Sequence, residues 1–323
     1  MAKSIAERYE RFAQVEAAGR SPLYERLALH VAGSASALRF LARLPESRQQ
    51  PNLLFGAIRL VAGTPVSTTD FDAALADHGG AIAQTMLSRT TQTNEPARCA
   101  SLLPALSRID GPLALIEVGA SAGLCLLPDC YGYDWGRLQL PAPACGGEAG
   151  PVFRSEASQD TPLPTRHPEI VWRAGLDLNP LDVLDDADMA WLECLVWPEH
   201  HERLANLRAA VAVARRSPPR IVSGDLTRDL AALIAEAPVD ATLVVFHTAV
   251  LSYIADQAVR DAFAKDMLAS RAIWLSNESP RVFPQFSSAE PPGKGLFLLA
   301  RNGEPLAWTG PHGQSVAWIG NPE

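Results

Sequence analysis

The sequence predicts an α/β protein in which a helical amino-terminal region precedes a doubly wound, mostly parallel sheet with an antiparallel edge. Three observations carry this. Apolar residues recur at helical spacing through roughly the first hundred positions. Short apolar runs then alternate with helix-period stretches, and three last runs surround an Asn-Gly turn.

In the first region Ile5, Tyr9 and Phe12 keep helical spacing, and Ser21-Pro22 offers an N-cap and an N1 proline ahead of Leu23, Leu27 and Val31. Leu38, Leu41 and Leu44 continue the pattern. Pro51 and Gly63-Thr64-Pro65 punctuate it, and 70–89 and 97–108 read as two further helices. The pattern changes at Gly111-Pro112. Leu113 to Val118, closed by Gly119, has the continuous apolar character of a buried parallel strand, and 169–174, 220–223, 241–247, 272–276 and 296–300 repeat it. Helices over 187–195 and 203–216 fall between them, as does one capped by Asp256 that carries Val259, Phe263 and Met267. With right-handed crossovers this is a Rossmann-like arrangement. The tail, 296–301, Asn302-Gly303, 305–308 and 314–319, is an antiparallel meander. The expected division is a helical region over 1–110, on the substrate side, and a core over 111–323. A Pro- and Gly-rich insertion at about 128–168 interrupts that core, with a hairpin around 131–140.

The 323 residues are 47% hydrophobic and 20% charged, which supports a folded chain with a sizeable core. With 28 basic against 36 acidic residues the net charge is −8, which disfavours coating of bulk nucleic acid. No apolar run approaches the roughly 20 residues of a bilayer span, and Met1-Ala2-Lys3-Ser4 opens no signal core, so a cytoplasmic protein without a membrane partner is expected. Five cysteines without C-x-x-C spacing point to reduced thiols and to no thiolate metal site. Only Lys3, Lys265 and Lys294 occur beside 25 arginines, which excludes the P-loop. The Tyr-x-x-x-Lys pair fails because Gln257 follows Tyr253. Glu199-His200-His201-Glu202 reads as a solvent-facing patch, since adjacent histidines diverge by about 100° on a helix.

The sharpest signal is Glu117-Val118-Gly119-Ala120-Ser121-Ala122-Gly123-Leu124, after the first strand and expected to open a helix. Small residues let the backbone approach a ligand, and a helix amino terminus would add unpaired N–H groups. One reading is the first motif of a class I S-adenosylmethionine (SAM) methyltransferase. Glu117, Gly119, Ala120, Ser121 and Gly123 then meet the methionine end, and acids should close the next two strands. They do so at Asp177, with Asn179, for the ribose, and at Asp225, with Leu226, for the adenine. Gly123 and Asp177 stand 54 positions apart, against roughly 20 in nucleotide-binding folds, so the insertion is looped out. The other reading takes Gly119 to Gly123 as G-x-S-x-G, the elbow of a serine hydrolase, with Ser121, Asp225 and His247 or His312 in triad order. The helical residues before it argue against that reading. A SAM- or nucleoside-binding regulator without chemistry is the non-enzymatic alternative.

His247, Glu278 and Glu95 are the candidate bases, and Gln92, Asn94 and Thr248 are candidates for the substrate side. Asn94 or Glu95 alternatively caps a helix near Pro96. The segments Arg89 to Glu95, Glu117 to Leu124, Gly175 to Asp182, Trp197-Pro198-Glu199, Phe246-His247-Thr248 and Pro311-His312-Gly313 together resemble a bacterial family of unknown function with a class I SAM-methyltransferase-like core. The resemblance spans nearly the whole chain. It implies that fold, whereas SAM as cofactor is expected from the three strand-end motifs, and a small molecule or protein as acceptor from the acidic charge. Cys125 departs from the polar residue expected there.

Overall fold

The computed structural model describes residues 4–147, 149–286 and 291–320. Met1 to Lys3 of the amino-terminal stretch and Glu148 of the insertion lie outside them. Two compact units are present, one of Met1–Thr93 with Asp186–Ala205 and one of Asn94–Asp185 with Asn206–Glu323. Among the described residues no helix is long and apolar enough to cross a membrane.

The first unit is helical, with helices Ile5–Arg11, Pro22–Gly33, Ala35–Leu41, Pro51–Ala62 and Thr68–Ser88. Local chemistry starts them, at Ser21-Pro22 as the sequence predicts and at Thr68 two residues ahead of the expected 70. The Ser21 hydroxyl accepts from Tyr24 N with Pro22 at N1, and Ser67 and Asp70 form a capping box. Tyr24, Leu27, Ala28 and Val31 bury one helical stripe, and Tyr24, Phe55 and Phe71 centre an aromatic cluster. Helix Asp186–Leu195 adds Trp191, fully buried, whose indole N–H donates to Thr90 O at 2.9 Å. The unit therefore ends at Thr93 rather than at 110 and regains 186–205. Glu199 is not solvent-facing alone: it accepts from Ser21 Oγ at 2.7 Å and Leu23 N at 2.9 Å.

In the second unit nine strands form one sheet: β1 Leu113–Val118, β5 Glu156–Ala157, β6 Ile170–Asp177, β7 Arg220–Ser223, β8 Thr242–Thr248, β9 Ile273–Glu278, β10 Phe297–Arg301, β11 Glu304–Thr309 and β12 Ser315–Trp318. The remaining strands, β2 Gly132–Asp134, β3 Gln139–Leu140 and β4 Val152–Arg154, make a small sheet that contains the expected hairpin. The large sheet runs β5-β12-β11-β10-β9-β8-β1-β6-β7. From β7 to β9 all neighbours are parallel, and from β9 to β12 all are antiparallel. β1 is buried at every position, as its unbroken apolar run requires. Ile116, Val118, Val245 and Trp274 pack with Phe263 of helix Gln257–Ala269 in the core.

Two expectations fail between β1 and β6. No α-helix follows the glycine loop; three-residue 3-10 turns, Leu124–Leu126 and Pro128–Cys130, take its place. Side chains satisfy the carbonyls a helix would have paired: Tyr131 OH donates to Leu124 O at 2.8 Å, Arg173 to Leu126 O at 2.8 Å and Tyr133 OH to Pro128 O at 2.6 Å. Nor are all five thiols reduced, because Cys130 and Cys145 form a disulfide.

Candidate functional site

The chain leaves β1 for β6 on one side and returns through β8 on the other, so the strand order reverses between β1 and β8. In open α/β sheets that reversal opens a crevice beyond the strand carboxyl ends, where ligands bind. Two of the three non-glycine residues with positive φ among the described residues lie there: Ser121 (52°) after β1 and Ala249 (57°) after β8. At Gly119, φ is 71° and a Cβ would stand 2.4 Å from Val250 Cγ2, so only glycine fits beneath the β8 loop.

The loop after β1 is fastened by its neighbours. Gly119 N donates to Leu176 O at 2.7 Å, and Ser121 N to Asp177 Oδ2 at 2.7 Å. Asn94 donates to Ala120 O at 2.9 Å and accepts from Leu124 N at 3.1 Å, so it pins the loop instead of capping a helix. Glu95 precedes the 3-10 turn Pro96–Arg98 and makes no side-chain cap either. These bonds, and the missing helix, correct the expectation of an anion cradle: most backbone donors here are already engaged.

What this edge offers instead is carboxylate. Asp177 ends β6; its Oδ1 also accepts from Asn179 N at 2.8 Å, which leaves further lone pairs on both oxygens. Asp225 lies just past β7, where Oδ1 accepts from Thr227 Oγ1 at 2.6 Å and Thr227 N at 2.8 Å, and those bonds hold its carboxyl below the usual range. Leu226 beside it is half-buried. Glu117 is 2% exposed and its Oε2 has no hydrogen-bond partner. Burial first, then Cys125 and Asp177, push its carboxyl well above the usual range, against the pull of the Arg98 guanidinium.

Arg98, itself buried, donates to Thr248 O at 2.9 Å, Thr248 Oγ1 at 3.2 Å and Pro311 O at 2.8 Å. Glu95 is buried nearby and accepts at its carbonyl from Cys125 Sγ at 3.3 Å. His247 is fully enclosed: Nδ1 stands 2.8 Å from Glu278 Oε1, and Nε2 accepts from the Trp274 indole at 3.0 Å. An indole only donates, so Nδ1 carries the imidazole proton. Glu278 Oε1 also accepts from Val250 N at 2.8 Å and Leu251 N at 3.0 Å, holding the β8 loop over Gly119, while Oε2 has no partner. Ser121 Oγ is likewise buried without a partner.

The structure thus gathers Glu117, Gly119, Ala120, Ser121, Gly123, Asp177, Asn179, Asn94 and Glu95 around one loop, and sets His247 and Glu278 under the neighbouring one. Gln92 belongs to the helical unit. Sequence reasoning missed Arg98, one arginine among 25, and Val250, an ordinary apolar residue. No characterised protein and no solved structure gives a significant match to the chain. The family described as an uncharacterized protein conserved in bacteria (DUF2332) matches residues 6–318, and the chain belongs to that family.

Proposed function

We propose that the sheet unit is a Rossmann-like, class I SAM-methyltransferase-like module acting on a small-molecule or protein acceptor. The observation that carries this reading is the row of acids at the carboxyl ends of adjacent parallel strands, Glu117 on β1, Asp177 on β6 and Asp225 past β7. The first of them keeps a buried, unpartnered oxygen. An ammonium group satisfies such an oxygen and favours its ionised form. Vicinal ribose hydroxyls match the remaining lone pairs of Asp177, and the Asp225-Leu226 turn offers an acceptor and an apolar face to a base.

The residues therefore suit SAM, which supplies an electrophilic methyl group when bound. Val250 covers the Gly119 face, so contact falls to the carboxylates and to Ser121 Oγ rather than to bare glycine backbone. His247, with both nitrogens engaged, acts as a strut for Glu278 on this reading rather than as a base. A serine hydrolase gains no support, since Ser121 Oγ meets no imidazole and no helix follows the elbow. A regulator that binds SAM without chemistry is distinguished by absence of methyl turnover with any metabolite pool.

Thermal unfolding with SAM, S-adenosylhomocysteine, NAD and ATP tests the reading. At ligand concentrations near a hundred times Kd, binding stabilises the native state by about 2.7 kcal/mol. A rise in Tm with the two adenosyl sulfur compounds and none with NAD or ATP is expected. No shift with either adenosyl compound would contradict it.

A further inference from the structure

Resting on that reading for its ligand, we propose that Ala249 and Val250 form a flap over the Gly119 end of the crevice, latched by Glu278 and sprung by the backbone of Ala249. The flap opens to admit the ligand and closes behind it. A Cβ built on Gly119 would meet Val250 Cγ2 at 2.4 Å, Cγ1 at 2.6 Å and Cβ at 3.0 Å, so the whole branched end of Val250 lies on the glycine. Gly119 in turn stands between Glu117 and Ser121 in the chain, whose Oε2 and Oγ are buried without a partner. A ligand that reaches those atoms needs an opening that the closed chain does not offer.

Two loops border the crevice, and they are held differently. After β1, Gly119 N and Ala120 N both donate to Leu176 O, Ser121 N donates to Asp177, Leu124 N to Asn94 and Leu181 N to Ser121 O. Those partners fix this side. After β8, Val250 N and Leu251 N converge on one atom, Glu278 Oε1, at 2.8 and 3.0 Å, and His247 Nδ1 stands 2.8 Å from the same oxygen. A carboxylate oxygen has about two lone-pair directions, so three donors compete there while Oε2 has none. Release of that single oxygen frees both amides.

The spring is Ala249. Its φ of 57° is left-handed, a conformation in which the Cβ of any residue but glycine crowds the following carbonyl. The ends of the flap stay in place: Ala249 N donates to Asn277 O at 3.0 Å, and the Leu251 side chain is fully buried in the core. Between them, return of Ala249 to an extended conformation lifts Val250 off Gly119 and relieves the strain, and the bonds to Glu278 oppose it. Just past Leu251 the chain is exposed at Ser252, so the motion starts from the solvent side. Glu278 thereby acts as a positioning residue that governs entry.

Residue-resolved amide exchange by NMR on the full-length protein without ligand, in the wild type and in Ala249→Gly, tests the flap. Val250 and Leu251 should share one protection factor, at least about tenfold below those of Phe246 and His247 inside β8. Glycine removes the penalty at positive φ, so Ala249→Gly should hold the flap shut and raise that shared factor about tenfold. An ordinary surface loop does the opposite, since glycine loosens it. Unequal protection of the two amides, protection equal to that of β8, or unchanged or faster exchange in Ala249→Gly would each overturn the proposal. Stopped-flow binding of S-adenosylhomocysteine reads the passage itself. Val250→Ala should raise the association and dissociation rate constants together, about tenfold, with Kd held within about threefold, and an unchanged association rate would overturn the proposal. Absence of S-adenosylhomocysteine binding rejects the cofactor reading, and the exchange measurement alone then judges the flap.

Discussion

Glu117 lies in a position where its own ionisation works against folding. Its carboxyl is raised above the ordinary value of 4.5 by burial, so the native chain binds more protons than the unfolded chain between that value and the higher native one. The stability tied to this group is full below the unfolded value and is lost as pH rises through the native one. Glu117→Gln should therefore raise Tm at pH 8, by about 1–2 kcal/mol of stability, and change little at pH 4; calorimetric scans at both pH values check this. Gly119→Ala should cost at least about 2 kcal/mol in urea titrations, because a Cβ meets Val250 at a positive φ. The acids were legible in the sequence, since each closes or follows an apolar run. Their partners were not: Asp177 meets Ser121 across 56 positions, and nothing local shows that His247 ends between Glu278 and Trp274.

Single elements add two tests. Glu199 serves as a remote cap for helix Pro22–Gly33; burial raises its carboxyl, but hydrogen bonds from Ser21 and Leu23 outweigh this and leave it lowered. Its contribution is thus present above the unfolded carboxylate value and lost as pH falls through the native one. Glu199→Ala should cost about 1 kcal/mol at pH 7, with a smaller difference at pH 3, by urea denaturation. The Cys130–Cys145 disulfide closes 15 positions of the insertion, a loop worth about 3 kcal/mol. Reductant should lower Tm of the wild-type chain and leave Cys145→Ser unmoved. The strands were readable because buried parallel strands are continuously apolar. Helix Leu230–Glu236 escaped notice, as seven residues scarcely complete two turns. The helix expected after Gly123 is absent because side chains distant in sequence claim its carbonyls.

For the whole molecule, the sequence order of helical region, parallel sheet and antiparallel edge is legible and correct. The division is not, because Trp191 returns residues 186–205 to the helical core, and the buried helix Cys99–Leu106 belongs with the sheet. Periodicity shows that a helix has an apolar face without showing which core receives it. The net charge of −8 sits with a site built from carboxylates, which suits a ligand bearing an ammonium and a sulfonium rather than a polyphosphate.

The most direct measurement is calorimetric titration of the purified protein with SAM and S-adenosylhomocysteine, repeated on Asp177→Ala. Micromolar binding of both, weakened tenfold or more in the variant, is the predicted result. No heat of binding at millimolar ligand, or binding indifferent to Asp177, would contradict a SAM site at the carboxyl ends of β1 and β6.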